Sequence, residues 1–577
     1  MRQPVVLKDA FKGFTLDQDK IISPEETVRR LKTRLGRLNL DILEKTVRID
    51  SGRLDIPVFF SYCGKDALAM TGTRKQMGKG ATPEQSEASA VMELAERFSF
   101  FSFCNTPSNF ISGCHQQFKD QAIPFETIAQ SVHDISDDIQ ETRIFYEQLP
   151  MRWTWGYNLT ENRNVLVPFD WFYSINEYNG PSAGNCVEEA LIQGICEIVE
   201  RHVSSLVSRN RVAVPGIQPV SATNPLVMEM LEKYNKTGIK LCLSDFTLGM
   251  GIPTVGILAW DPATYPDYSE IVWTAGTTPN PEKALSRALT EVAQLAGDFN
   301  SGSCYEASGL PKFTRLQDAE YITTPQTWID LAQLPDISHD NMRIEVENCI
   351  QALKRNHMDV IVIDTLHSGL QIPAFYTVVP GAHFRERAAG TSVGMFAAKL
   401  ATQNLPPHQA LNRLMDMDRL LPGKYYTHFY MGQMLISLER FDDALSRFDS
   451  ALRLSPNPQD IPSIYSYMGV SLKETGRYRE ALDILETGLR LDSERTDILN
   501  LMGFCHFKLK DHETAIHYFE KIIDLNPGSA IDYANLAVNY RELGQVTKAI
   551  HYFELALSLD PGIDFARENL LKLTDHV

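Results

Sequence analysis

Positive charge is scarce in this 577-residue chain: 55 lysines and arginines stand against 73 aspartates and glutamates, a formal net charge of -18. Phosphate neutralisation and counterion release need a basic face, so this balance argues against a nucleic-acid binder. No stretch approaches the roughly 18 uninterrupted apolar residues of a membrane span. The opening MRQPVVLKDAFKGF carries charges where a signal peptide has its apolar core. The expectation is a cytoplasmic chain with no membrane partner. Nine cysteines, from Cys63 to Cys505, include no CxxC pair, and the histidines form no HExxH. A structural zinc site and a zincin-type hydrolase therefore lack support.

What the chain does have is a repeat. Ala444, Ala481, Ala515 and Ala549 are spaced by 37, 34 and 34 residues. Twelve residues before each stands Gly432, Gly469, Gly503 or Ala537, and four after each stands Phe448, Leu485, Phe519 or Phe553. Small residues where two helices cross, with an apolar plug per hairpin, are the tetratricopeptide pattern. Pro456, Pro527 and Pro561 close three units, and the longer first spacing fits a three-residue insertion around Pro458 to Pro462. The stretch from Asp564 to Thr574 reads as a solvating cap.

Upstream, short β-rich runs alternate with helical patterns, which predicts an α/β layered body. Strands are expected at Arg53 to Cys63, Asp66 to Thr71, Trp153 to Asn158, Val165 to Phe172, Ile239 to Ser244, Pro253 to Trp260, Ile271 to Ala275, Val360 to Asp364 and Pro373 to Val379. Helices are expected at Pro24 to Leu38, Pro83 to Phe103, Asn185 to Ser208, Pro281 to Phe299 and Arg343 to Asn356. The domain plan is residues 1–400, a connecting segment 401–423, and repeats with a cap over 424–577.

Three of those helices carry acids in stripes. Ser89, Glu93 and Glu96 stand at i, i+4 and i+7; Glu189, Gln193, Glu197 and Glu200 form a second stripe, and Arg287, Glu291 and Gln294 a third. A solvated face would account for one such helix. Two copies of ExxER, Glu93/Glu96/Arg97 and Glu197/Glu200/Arg201, suggest instead two helices facing each other across a divalent cation. Like charges at i, i+3 need a compensating cation, and Ile192, Ile195, Ile198 and Val199 indicate burial, where unpaired carboxylates are costly. Hard oxygen ligands suit Mg2+, which takes one or two carboxylates plus phosphate oxygens, and arginine supplies planar donors to the same phosphates. The implied ligand is a nucleoside triphosphate.

Two strings resemble other sites. GTRKQMGKG puts five residues between Gly72 and Gly78, with Gly80 in place of the Ser or Thr of a phosphate-binding loop. Gly180-Pro181-Ser182-Ala183-Gly184 matches GxSxG but follows a looser Asn-Gly-Pro approach than a nucleophile elbow needs. Ser182, Gly184 and Asn185 are better used to start a helix and offer donors to a phosphate.

At these residues the sequence resembles the YcaO family, whose nucleotide-binding signatures are an SxxxExxER helix and an SxGNxxxEAxxxGxxExxER helix; Ser89 to Arg97 and Ser182 to Arg201 match them nearly position by position. Also similar are Lys8-Asp9-Ala10, Ser23 to Thr27, Gly78-Lys79-Gly80, the Arg287 helix and Val378-Val379-Pro380-Gly381. The resemblance covers about residues 5 to 400. It implies an α/β catalytic domain of mixed sheets with helices, followed here by an all-α tetratricopeptide solenoid. It further implies that Glu93, Glu96, Glu197 and Glu200 ligate Mg2+ on ATP, while Ser89, Arg97, Ser182, Asn185, Glu189, Gln193, Arg201, Arg287 and Glu291, with Lys8, Ser23 and Lys79, contact the nucleotide. No residue is expected as a covalent nucleophile.

Family members phosphorylate a peptide amide oxygen and so activate the backbone carbonyl. The implied activity is an ATP-dependent, amide-activating phosphoryl transfer with ATPase activity on a peptide or protein substrate. Azoline-forming members typically end in a proline-rich tail, whereas this chain ends LKLTDHV. That departure points to the branch linked to methylthiolation of a small-subunit ribosomal protein, as enzyme or ATP-hydrolysing accessory factor, with a homodimer implied. The alternative is a nucleotide-binding scaffold whose repeats recruit partners without amide chemistry.

Overall fold

The computed structural model describes residues 4–574 apart from 301, 303, 304, 306, 308 and 385–390, so Cys304 and the last three residues of LKLTDHV lie outside the described residues. The chain divides into two compact units, one formed by residues 1–135 and 150–392, the other by 136–149 and 393–577.

The first unit is α/β and holds three sheets. β1 (Leu43–Arg48), β2 (Val58–Cys63) and β3 (Lys75–Lys79) form an antiparallel sheet in that order. A second sheet has β4 (Ile111–Gly113), β5 (Met151–Asn158), β13 (Ile361–Asp364), β14 (Ala374–Val378) and β7 (Pro181–Ala183) in series, with β6 (Arg163–Pro168) paired to β5. The third runs β11 (Val272–Thr277), β10 (Thr254–Trp260), β9 (Lys240–Asp245), β8 (Gly216–Ile217) and β12 (Trp328–Ile329).

Helix starts follow side-chain chemistry. Pro24–Leu35, Pro83–Cys104 and Pro281–Ala296 each begin with proline after a capping residue, Ser23, Thr82 or Asn280, whose side chain accepts a backbone N–H of the first turn. Glycine sets how closely two of these elements approach. A Cβ on Gly78 of β3 would overlap the backbone of Ser86 and Ala90, so only glycine lets that strand lie on the Pro83–Cys104 helix. A Cβ on Gly194 would meet the side chains of Ser182 and Thr377, and its absence seats the Val187–Asn210 helix against β7 and β14.

The expected strand at Asp66 to Thr71 is instead a helix, Lys65–Thr71, closed by Gly72 at φ 72°. Ala67, Leu68 and Met70 are good helix formers, and helix propensity with a glycine C-cap outweighs the apparent alternation. Residues 53–57 stay outside β2. The run expected through Phe172 changes at Pro168, where the chain turns into the Phe169–Asn176 helix.

The second unit is all helical and matches the expected solenoid. Its hairpins are Tyr425–Ser437 with Phe441–Arg453, Ile461–Glu474 with Tyr478–Leu491, Thr496–Lys508 with His512–Leu525, and Ala530–Glu542 with Val546–Leu559, followed by Asp564–Thr574. Ala444, Ala481, Ala515 and Ala549 are fully buried. A Cβ on Gly432, Gly469 or Gly503 would run into Phe448, Leu485 or Phe519, the plug of the same hairpin. The connection 454–460 is three residues longer than its counterparts 492–495, 526–529 and 560–563. Ahead of the first hairpin lie the helices Val393–Asn404 and Pro407–Leu420, across most of the segment expected as a connection.

Candidate active site

The Pro83–Cys104 and Val187–Asn210 helices both pack on β7, and the Pro281–Ala296 helix packs on β3, β10 and β11. Between them opens a cleft whose empty space, open solvent at its mouth included, is about 1340 Å³. All three acidic stripes face it. Thirteen expected residues line it: Ser89, Glu93, Glu96 and Arg97 from the first helix; Asn185, Glu189, Gln193, Glu197, Glu200 and Arg201 from or just before the second; Arg287 and Glu291 from the third; and Lys79 from β3.

Three expected residues lie outside the lining. Ser23 accepts the N–H of Glu26 as a helix cap. Ser182 is fully buried on β7, opposite Phe375 of β14, and its hydroxyl is not presented as a nucleophile elbow would present it. Lys8 is tied through its backbone N–H to Glu188 Oε1 at 2.6 Å. Conversely, Asp17, Gln18, Lys20 and Thr27 line the cleft from the N-terminal segment without having been expected. Nothing periodic marks them in the sequence.

The arginines stand close to the acids, mostly at distances longer than a closed charge-assisted hydrogen bond. Arg97 stands 3.9 Å from Glu93 and 3.7 Å from Glu96, Arg201 3.7 Å from Glu197, and Arg287 3.3 Å from Glu200. Closed charge-assisted hydrogen bonds run about 2.7–2.9 Å. Backbone N–H groups supply part of the compensation: Gly180 donates to Glu197 at 3.2 Å and Thr277 to Glu200 at 3.1 Å. Lys79 pairs with Glu291.

Burial pushes the Glu93 carboxyl up and that of Glu96 well above the usual range; Arg97 pulls both back, while Glu197 of the facing helix repels both. Burial, reinforced by Arg287, brings the Lys79 ammonium down to about 7. For Arg287 burial acts against the charge, but Glu200 and Glu197 more than restore it. Acids of two separate helices therefore share one electrostatic field.

This donor set fits a magnesium nucleotide. Among the described residues seven carboxylates and five cationic side chains line the cleft, a balance that favours a polyanion arriving with divalent cations. Among the described residues the buried Nε of Arg201 has no hydrogen-bond partner, which leaves a donor available to a ligand. Among the described residues no three acid, histidine or cysteine side chains close on one point. Mg2+ needs no such cage, because it keeps waters and takes phosphate oxygens beside one or two carboxylates.

Residues 77–383 match a family model described as YcaO cyclodehydratase, ATP- and Mg2+-binding, and residues 494–561 match a tetratricopeptide repeat model. The chain is 26% identical over 380 residues to an uncharacterised protein of Methanothermobacter thermautotrophicus, covering 62% of this chain and 94% of that one. It is 26% identical over 301 residues to the ribosomal protein S12 methylthiotransferase accessory factor YcaO of Escherichia coli, covering 47% of this chain and 48% of that one. A solved heterocyclase in complex with substrate and cofactor has a TM-score of 0.54 at 22% identity, over 66% of this chain and 55% of that one, and shares the fold. The chain thus spans about half the length of the latter two proteins.

Proposed function

The chain belongs to the YcaO family, which binds ATP and Mg2+, and from that premise we propose that it is an enzyme that phosphorylates the backbone amide oxygen of a peptide or protein. The observation that carries this reading is the convergence of Glu93 and Glu96 with Glu197 and Glu200, from two helices, on one cleft beside three arginines.

When bound, magnesium ATP supplies an electrophilic phosphoryl group whose transfer to a carbonyl oxygen turns that oxygen into a leaving group. The chain's part is positioning and charge compensation, the two effects that dominate phosphoryl transfer. Glu93, Glu96, Glu197 and Glu200 would hold the metal; Arg97, Arg201 and Arg287 present guanidinium donors where charge builds up on phosphate oxygens. Asn185, itself bonded to Glu189 at 3.1 Å, sets the entrance to the second helix. The repeats bring the acceptor or a partner protein. The same step would serve a modifying enzyme or an ATP-hydrolysing accessory to ribosomal-protein methylthiolation, the role in the E. coli relative's name.

With an acceptor peptide carrying 18O in its amide carbonyl, the label should appear in inorganic phosphate as ATP is consumed and the peptide is modified. Modification with all label retained in the peptide or released to water would contradict amide phosphorylation.

A further inference from the structure

One short loop reaches both acidic helices: residues 177–180, which join the Phe169–Asn176 helix to β7. Both of its ends are fixed. Glu177 N donates to the carbonyl of Tyr173 at 2.8 Å, and Asn179 N to that of Asn176 at 2.9 Å. At the other end Thr377 N of β14 donates to the carbonyl of Gly180 at 2.9 Å. Gly180 has φ 101°, and a Cβ there would overlap the carbonyl of Thr377, so the position needs glycine. Glu177 has φ 45° and ψ -109°, values that a residue with a side chain rarely adopts and keeps only where its surroundings impose them.

Tyr178 stands between these anchors and makes its contacts with the Pro83–Cys104 helix. Arg97 Nη1 donates to the carbonyl of Tyr178 at 3.3 Å, closer than that guanidinium stands to either acid of its own helix. The same guanidinium lies over the Tyr178 ring, its Cζ 5.7 Å from the ring centre. Phe101, one helical turn beyond Arg97, meets the ring at 5.8 Å between centres. Carbonyl and ring together restrict a long side chain that would otherwise sample many rotamers, and they leave its other donors to the cleft it lines.

We propose that Tyr178 is a positioning residue for phosphoryl transfer: it holds the guanidinium of Arg97 toward the transferring group. Gly180 of the same loop holds Glu197 of the facing helix through its N–H at 3.2 Å, so one strained turn fixes a functional group from each ExxER helix. Tyr178 acts through Arg97 and touches no reacting atom. Its side chain is 48% exposed, so truncating it should cost the fold little while it disturbs the arginine.

This rests on the cleft being the site of phosphoryl transfer, and steady-state ATP turnover by the full-length protein with Mg2+ separates the two. Tyr178→Ala should lower kcat by about tenfold and leave KM for ATP within about twofold, because the arginine's contact strengthens as charge builds up on the phosphate oxygens. The melting temperature should stay unchanged, and Tyr178→Phe, which keeps the ring, should return kcat to within about twofold of wild type. In an Arg97→Ala background Tyr178→Ala should add almost nothing, since it works through that arginine. Turnover by Tyr178→Ala within about twofold of wild type, a loss that multiplies in full with that of Arg97→Ala, or a fall in melting temperature that Tyr178→Phe does not repair would each overturn the assignment. Arg97→Ala that turns over ATP like wild type overturns the reading of the cleft instead.

Discussion

Replacing Glu96 or Glu197 with glutamine should cut magnesium-dependent ATP turnover by about a hundredfold to a thousandfold, the range observed when one group that stabilises developing charge is removed. The shape of each side chain survives, so the fold should too. Glu96→Gln should even leave the nucleotide-free protein as stable as wild type or more so above neutral pH. The Glu96 carboxyl is raised by burial and by Glu197, so the folded chain holds that proton at pH values where the unfolded chain has released it. Stability then falls as pH rises from the ordinary carboxyl range through the raised one, and the glutamine variant should lose that portion of the slope. Turnover assays with thermal melts at pH 5 and pH 8 read both halves. Undiminished turnover in both variants would remove these carboxylates from the chemistry.

In the solenoid the largest effect should come from Phe519→Ala. Its ring is 2% exposed and fills the place a side chain on Gly503 would take. Truncation leaves a cavity between two helices joined by a short turn, and the expected cost is about 3–5 kcal/mol. Neighbouring repeats depend on that hairpin, so the loss should lower the melting transition of the whole array and not one unit alone. Glu486→Ala, an exposed site on the preceding hairpin, should stay within about 0.5 kcal/mol. Denaturant melts of the two variants give the comparison, and a Phe519→Ala loss below 1 kcal/mol would contradict the plug assignment.

The repeats were legible because helix crossing admits only small residues at one register, and Gly432, Gly469 and Gly503 state that register in the sequence itself. The acidic stripes were legible for a related reason: an α-helix turns i, i+4 spacing into a face whatever surrounds it. What sequence spacing does not carry is the N-terminal wall. Asp17 and Lys20 reach the cleft through Lys283, Ser286 and Glu189, partners more than 160 positions away. Ser182 shows the converse, a motif serine whose place is fixed by β14 and Gly194 and not by its neighbours. The Lys65–Thr71 helix was misread because its seven residues make just under two turns, too few for period 2 and period 3.6 to separate.

The most direct test is a crystal structure of the protein with Mg2+ and a non-hydrolysable ATP analogue. At least one metal should lie about 2.0–2.1 Å from carboxylate oxygens, with Glu93 or Glu96 on one side of the metal cluster, Glu197 or Glu200 on the other, and the triphosphate between. A triphosphate bound elsewhere, or four glutamates splayed away from any metal, would contradict the account.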